Sequence, residues 1–393
     1  MAGSARDCDP LGNGRVVSDT VDDRRNAARL GALRADRNRT MGCVDDAGRI
    51  ARHVRSADRR APPVICLQAG ADMPRLTRRR VLLGAGSTIL LGSGFIWSSF
   101  RRDLATAERR ISDRSRIIMT AFGALEYAVA GSGDPLMMIH GTGGGFDQGL
   151  RFAYALRQRG HRIVAPSRFG YLRSDFPADP SLAHQADAFA VLLDHLGIDR
   201  LPVVGGSAGA LSASAFALRH PDRCSALVLL VPVANVTGSD PVEMGRLQES
   251  AVRALLTSDL LYWSALEAAP ERIIGTLLAT DPKLLPNVSP SERRRAFAIA
   301  SDMMPIHART DGMLNDARQA GQPAKLDFAQ LRMPLLLISA EDDRFNTATT
   351  ARTIATMVPH ADLTIFPDGG HIWLGHDEEV AQRIEGFIAF ERN

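Results

Sequence analysis

Leu201-Pro202-Val203-Val204-Gly205-Gly206-Ser207-Ala208-Gly209-Ala210-Leu211 passes from an apolar run through small residues into a helical pattern. An apolar run predicts a strand, Leu201 to Val204, buried on both faces. The pattern from Ala208 to His220 predicts a helix. Between them Ser207 sits in a turn of small residues, where the chain can double back sharply and a reactant can approach closely. An ordinary glycine-rich turn would share the composition. The position between strand and helix favours a serine held above a sheet edge, near the positive end of a helix.

Working outward, His140-Gly141-Thr142-Gly143-Gly144-Gly145 follows the predicted strand Leu136 to His140. Such a loop can present backbone N–H groups to a developing negative charge, with Thr142 the first choice and Ala208 the second. It lacks the Lys-Ser or Lys-Thr and the spacing of a phosphate loop. A serine hydroxyl needs a base. Of ten histidines, His371 follows the last strand in Pro367-Asp368-Gly369-Gly370-His371, while His376 opens the final helix and reads as a surface or capping residue. The base needs an acid to fix its tautomer. Glu341, Asp342 and Asp343 all follow the strand Leu335 to Ala340, and Asp343, third in that turn, is the choice. The order is then serine, acid, histidine.

The rest of the chain alternates. Strands are predicted at Arg116 to Thr120, Leu125 to Ala130, Arg162 to Pro166, Ala226 to Val231 and Asp362 to Phe366. Helices are predicted at Gln148 to Arg159, Leu182 to Leu196, Thr349 to Met357 and Asp377 to Phe390. This predicts an α/β fold with a mostly parallel eight-stranded sheet flanked by helices. The alternation stops over residues 237–330, which has helical stretches and no strand. It is read as an inserted helical lid that shapes the pocket, with the site itself built from 116–236 and 331–393.

These segments resemble the α/β-hydrolase superfamily, over roughly Arg116 to Asn393. The likeness lies in the His140 loop, Gly205 to Gly209, the run Ala217-Leu218-Arg219-His220-Pro221-Asp222-Arg223, and Gly369-Gly370-His371. Within the superfamily the chain looks like bacterial esterase-like and carbon–carbon-bond hydrolases with a helical cap. The resemblance implies a serine hydrolase acting on a carboxylic ester or similar acyl bond through Ser207, His371 and Asp343, without metal or organic cofactor. Carbon–carbon bond hydrolysis, cofactor-free perhydrolysis (haloperoxidase activity) and a non-catalytic binding role on the same scaffold stay open as alternatives. One departure is visible: relatives often carry Asp after the strand ending at Pro166, where this chain has Ser167-Arg168.

Composition bounds the partners. The 393 residues carry a formal net charge of only +3. Of the 47 basic residues only Lys283 and Lys325 are lysines, and the arginines are scattered, so a nucleic-acid partner is not expected. The expected partner is a small ester-like molecule; nothing in the sequence sets an oligomeric state. Three of four cysteines lie at positions 8, 43 and 66, without metal-type spacing.

The amino-terminal region divides at Met73. Residues 1–72 lack apolar periodicity and read as a disordered or non-native extension. Arg75 and Arg78 to Arg80 then precede the uncharged run Val81 to Phe100, long enough for a helix of about 30 Å. Residues 73–110 are therefore read as a targeting or membrane-anchor segment. It would leave the catalytic part outside the cytoplasm or exported, with a cytoplasmic location as the alternative, and Met73 would be the biological start.

Overall fold

A computed structural model describes the backbone of residues 78–236, 246–321 and 325–390, and side chains over 94–236, 250–319 and 325–389. The expected extension 1–72, the Met73 start and the opening of the insertion lie outside the described residues.

The described residues begin with helix α1 (Arg78–Ile111) and enter the sheet through β1 (Arg116–Thr120), β2 (Gly123–Ala130) and β3 (Pro135–Ile139). Helices α2 (Phe146–Phe152) and α3 (Tyr154–Gln158), β4 (Arg162–Pro166), α4 (Leu182–His195), β5 (Leu201–Gly206), α5 (Gly209–Arg219) and β6 (Cys224–Leu230) follow. The insertion carries α6 (Arg246–Leu255), α7 (Asp259–Ala268), α8 (Pro270–Thr276), α9 (Pro290–Asp302) and α10 (Thr310–Gly321). The chain closes with β7 (Leu335–Ala340), α11 (Thr347–Met357), β8 (Ala361–Phe366) and α12 (Asp377–Phe390).

The strands form one eight-stranded sheet in the order β1-β2-β4-β3-β5-β6-β7-β8. The β1–β2 and β2–β4 pairs are antiparallel and all others parallel. Central β5 and β7 are buried at every position, which is why they read as continuous apolar runs. Edge strand β1 buries only Ile118.

Two apolar layers cover the sheet. One includes Leu193, Phe216 and Ile354 from α4, α5 and α11; the other includes Phe146, Ile384 and Phe387 from α2 and α12. Register decides which loops meet. Ile139 pairs with Gly205, Gly205 with Leu229, Leu230 with Ile338, and Ala340 with Phe366. The carboxyl ends of β3, β5, β7 and β8 therefore finish along one edge, and the loops that follow meet there.

Two expectations change. The helix foreseen over Gln148 to Arg159 is broken at Ala153 into α2 and α3. The uncharged run was expected to continue as anchor to Phe100. Among the described residues, however, no helix is long and apolar enough to cross a membrane, and the side chains of 81–93 lie outside them. Phe100 and Leu104 are buried against the insertion with Trp263 and Leu266. Phe100 meets the Trp263 ring edge-on at 5.6 Å, and Trp263 Nε1 donates to Asp103 at 3.1 Å. From Leu91 onward, α1 belongs to the same compact unit as the sheet. Apolar residues on that face find protein partners there.

Candidate active site

Ser207 follows the last residue of β5 with φ of +54°, in the left-handed region. Only a tight surround sustains that conformation in a non-glycine residue. Ser207 N–H donates to Leu230 O at 2.9 Å, and Ala210 N–H donates back to Ser207 O at 2.9 Å. Close packing requires glycine at 209: a Cβ there would stand 2.6 Å from Ile139 O. Helix α5 thus abuts the end of β3, which brings the His140 loop to the serine. At Gly141 a Cβ would lie only 3.0 Å from Ser207 Cβ.

His371 arrives from β8 through Gly369 and Gly370, both at positive φ (115° and 58°). A Cβ at Gly370 would strike Thr280, so glycine lets the loop pass beneath the insertion. His371 Nε2 lies 2.7 Å from Ser207 Oγ, and Nδ1 lies 2.8 Å from Asp343 Oδ2. The Asp343 carboxylate accepts the Nδ1 proton, which leaves the Nε2 lone pair facing the serine hydroxyl. Phe345 closes the ring's flank edge-on at 4.8 Å.

Burial by itself would raise the Asp343 carboxyl, but the His371 ring, the Thr347 hydroxyl and the Phe345 N–H hold it below the ordinary carboxylate range. Thr347 donates to Oδ2 and Phe345 N–H to Oδ1 at 2.9 Å. Asp342 instead accepts from Gly370 N–H at 2.8 Å and steadies the histidine loop. Glu341 pairs with exposed Arg352. His376, at the start of α12, pairs with Asp368 and Glu379.

The His140 loop is held from several sides. His140 is fully buried; Arg168 N–H donates to its Nε2 at 2.9 Å, so the ring proton sits on Nδ1 and donates to Gly141 O at 2.7 Å. Burial, then the nearby Arg168 charge, pushes His140 well below the usual histidine range. Gly141 N–H donates to Gln148 Oε1 at 3.0 Å, and Arg309 donates to Gly144 O. Where relatives often have Asp, Ser167 accepts from Phe146 N–H at 3.0 Å and donates to Glu126 at 3.0 Å. A serine backed by a buried glutamate thus fixes that corner.

Sequence reading missed the residues that come from the insertion. Arg295 donates to the carbonyls of Ile372 and Trp373 at 2.8 and 3.2 Å. Asp316 accepts from Thr142, Arg168 and Tyr171. Polar residues on amphipathic helices carry no signal of their partners. The site loops expected to rest on the sheet alone are gripped by the insertion as well.

The comparisons agree with this architecture. The sequence model of the α/β hydrolase fold family matches residues 134–375. The chain is an α/β hydrolase. It is 31% identical over 268 residues to the 2-hydroxymuconate semialdehyde hydrolase of Pseudomonas putida, covering 66% of this chain and 88% of that protein. It is 28% identical over 285 residues to the uncharacterized hydrolase YcgS of Bacillus subtilis (strain 168), covering 68% of this chain and 95% of that one. Among solved structures, an α/β hydrolase fold protein from Nakamurella multipartita superposes with a TM-score of 0.59 at 24% identity, over 70% of this hydrolase and 98% of that chain.

Proposed function

We propose that this hydrolase cleaves a carboxylic ester or similar acyl bond through an acyl-enzyme on Ser207. The observation that carries the reading is the pair of contacts on one ring, His371 to Ser207 at 2.7 Å and to Asp343 at 2.8 Å. His371 Nε2 takes the hydroxyl proton while Ser207 Oγ bonds to the carbonyl carbon. The displaced electron pair rests on the carbonyl oxygen, held by the N–H groups of Thr142 and Ala208. Collapse breaks the bond to the leaving alcohol, which takes the proton from Nε2. Water, deprotonated by the same nitrogen, then attacks the acyl carbon and releases the acid and Ser207. Asp343 stays ionised throughout and stabilises the imidazolium. A panel of p-nitrophenyl esters of increasing acyl length tests the reading, with fluorophosphonate labelling of Ser207. Labelling with turnover supports it; a folded protein that neither labels nor turns over would make it a binding protein.

The second reading is carbon–carbon bond hydrolysis, favoured by the 31% identity to a 2-hydroxymuconate semialdehyde hydrolase. The same serine, base and oxyanion donors would serve it. Adding 2-hydroxymuconate semialdehyde and following its absorbance separates the two, since an enzyme confined to esters leaves it intact. Acid and peroxide together test perhydrolysis.

A further inference from the structure

The loop between His140 and Phe146 contains four glycines and one residue with a side chain, Thr142. Glycine leaves such a loop conformationally free, yet a donor that stabilises an oxyanion works best when already fixed. The Thr142 hydroxyl is the loop's single side-chain handle. It donates to Asp316 Oδ2 at 2.8 Å. Asp316 comes from α10 of the insertion, 174 positions away.

The carboxylate of Asp316 is built in. It is 6% exposed and accepts from both terminal guanidinium nitrogens of Arg168 at 2.7 Å, one on each oxygen. Tyr171 donates to Oδ2 at 2.5 Å. The Arg168 guanidinium also stacks over the Tyr171 ring, 4.9 Å from its centre, and that ring meets His140 edge-on at 4.6 Å. A forked arginine pair of this kind fixes both position and direction. Arg168 and Tyr171 thus immobilise the acceptor, and the acceptor immobilises Thr142.

We propose that Asp316 is a positioning residue for acyl transfer: it holds the Thr142 hydroxyl and so aims the Thr142 N–H at the oxyanion formed on Ser207. The inference rests on the proposed serine-hydrolase reading and extends it to a residue outside the sheet domain. The insertion would then contribute to the rate of the chemical step as well as to pocket shape.

Thr142→Val removes the hydroxyl and leaves the Arg168–Asp316 pair intact, Thr142→Ser restores it, and Asp316→Asn weakens the acceptor. Each is measured for kcat and KM on an activated ester, for inhibition by a trifluoromethyl ketone, and for thermal stability. Thr142→Val should lower kcat by about 10- to 100-fold with KM changed by less than about 3-fold. Ketone affinity should fall in parallel, because its adduct carries the oxyanion, and Thr142→Ser should recover most of the loss. Asp316→Asn should share the kcat defect. Normal kcat in Thr142→Val, or an equal loss in Thr142→Ser, overturns the role of Asp316. Ser207→Ala is the control on the underlying reading: if it keeps full turnover, that reading fails and this inference with it. If it is inactive while Thr142→Val is normal, only this inference falls.

Discussion

Arg295 on α9 donates through Nη2 to the carbonyl of Ile372, the residue after His371, at 2.8 Å. The same nitrogen meets Glu292 at 2.9 Å, and the guanidinium lies over the Trp373 ring. Arg295→Ala removes these bonds from a largely buried side chain and should cost about 3 kcal/mol of stability. Turnover should fall as well, because the histidine loop loses its brace. Arg295→Lys should recover little, since Nε also donates to Glu292 Oε1 at 3.2 Å and Nη1 stands 3.6 Å from Asp377, positions that one ammonium cannot span. Thermal unfolding and kcat on the three proteins check this; a fully active lysine variant would show that charge alone suffices.

Replacing the proposed nucleophile or base should be far more severe for rate than for folding. Ser207→Ala and His371→Ala should each lower turnover by about 10³-fold or more, and the double variant by little beyond the worse single one. Melting temperatures close to that of the parent would show that the loss is chemical.

The three carboxylates after β7 should separate sharply. Asp343→Ala should abolish most activity, Asp342→Ala should cause a moderate loss through Gly370, and Glu341→Ala should be near neutral. Thr347→Val, which removes the hydroxyl donor from Asp343, should fall between the first two. Rates for the four variants on one substrate decide the order. Greater damage from Asp342→Ala than from Asp343→Ala would move the acid by one residue.

Stability should fall on acidification through His140. Its folded form stays neutral well below the usual histidine range, while the unfolded chain protonates near pH 6.5. Below that pH the unfolded state binds one more proton at this site. Stability is therefore fully present above about 6.5 and is lost as pH falls, by about 1.4 kcal/mol per pH unit. Denaturant unfolding at a series of pH values, compared with His140→Gln, checks the sign. The variant should show a flatter slope over that window.

Much of this fold was legible in sequence because strands buried on both faces must be apolar. β4 and β7 appear at their expected residues. The helix expected over Gln148 to Arg159 failed at Ala153, whose composition hides the break. That Ser207, His371 and Asp343 meet was legible because each sits just past a strand end, and parallel register sends those ends to one edge. Asp316, Arg295 and Arg309 were not. Their roles depend on which helix face meets which loop, and an arginine on a solvated face looks the same in sequence. Thr347 left a fainter trace, as a hydroxyl one helical turn beyond the acid.

The family match begins at residue 134, which leaves α1 outside it. Yet Arg110, near the end of that helix, donates to Asp147 at 2.5 Å and to the carbonyls of Asp302 and Met304 at 2.8 and 2.6 Å. Asp147 stands in the first turn of α2, directly after the His140 loop. Burial alone would raise its carboxyl, but the Arg309 and Arg110 guanidiniums hold it well below the ordinary range. A chain trimmed to the homologous core would lose one of those two cations and would bare the apolar face around Trp263 and Leu266 to water, inviting aggregation. For anyone expressing the catalytic unit, the workable boundary therefore lies ahead of Phe100, within α1, and not at the first strand of the sheet.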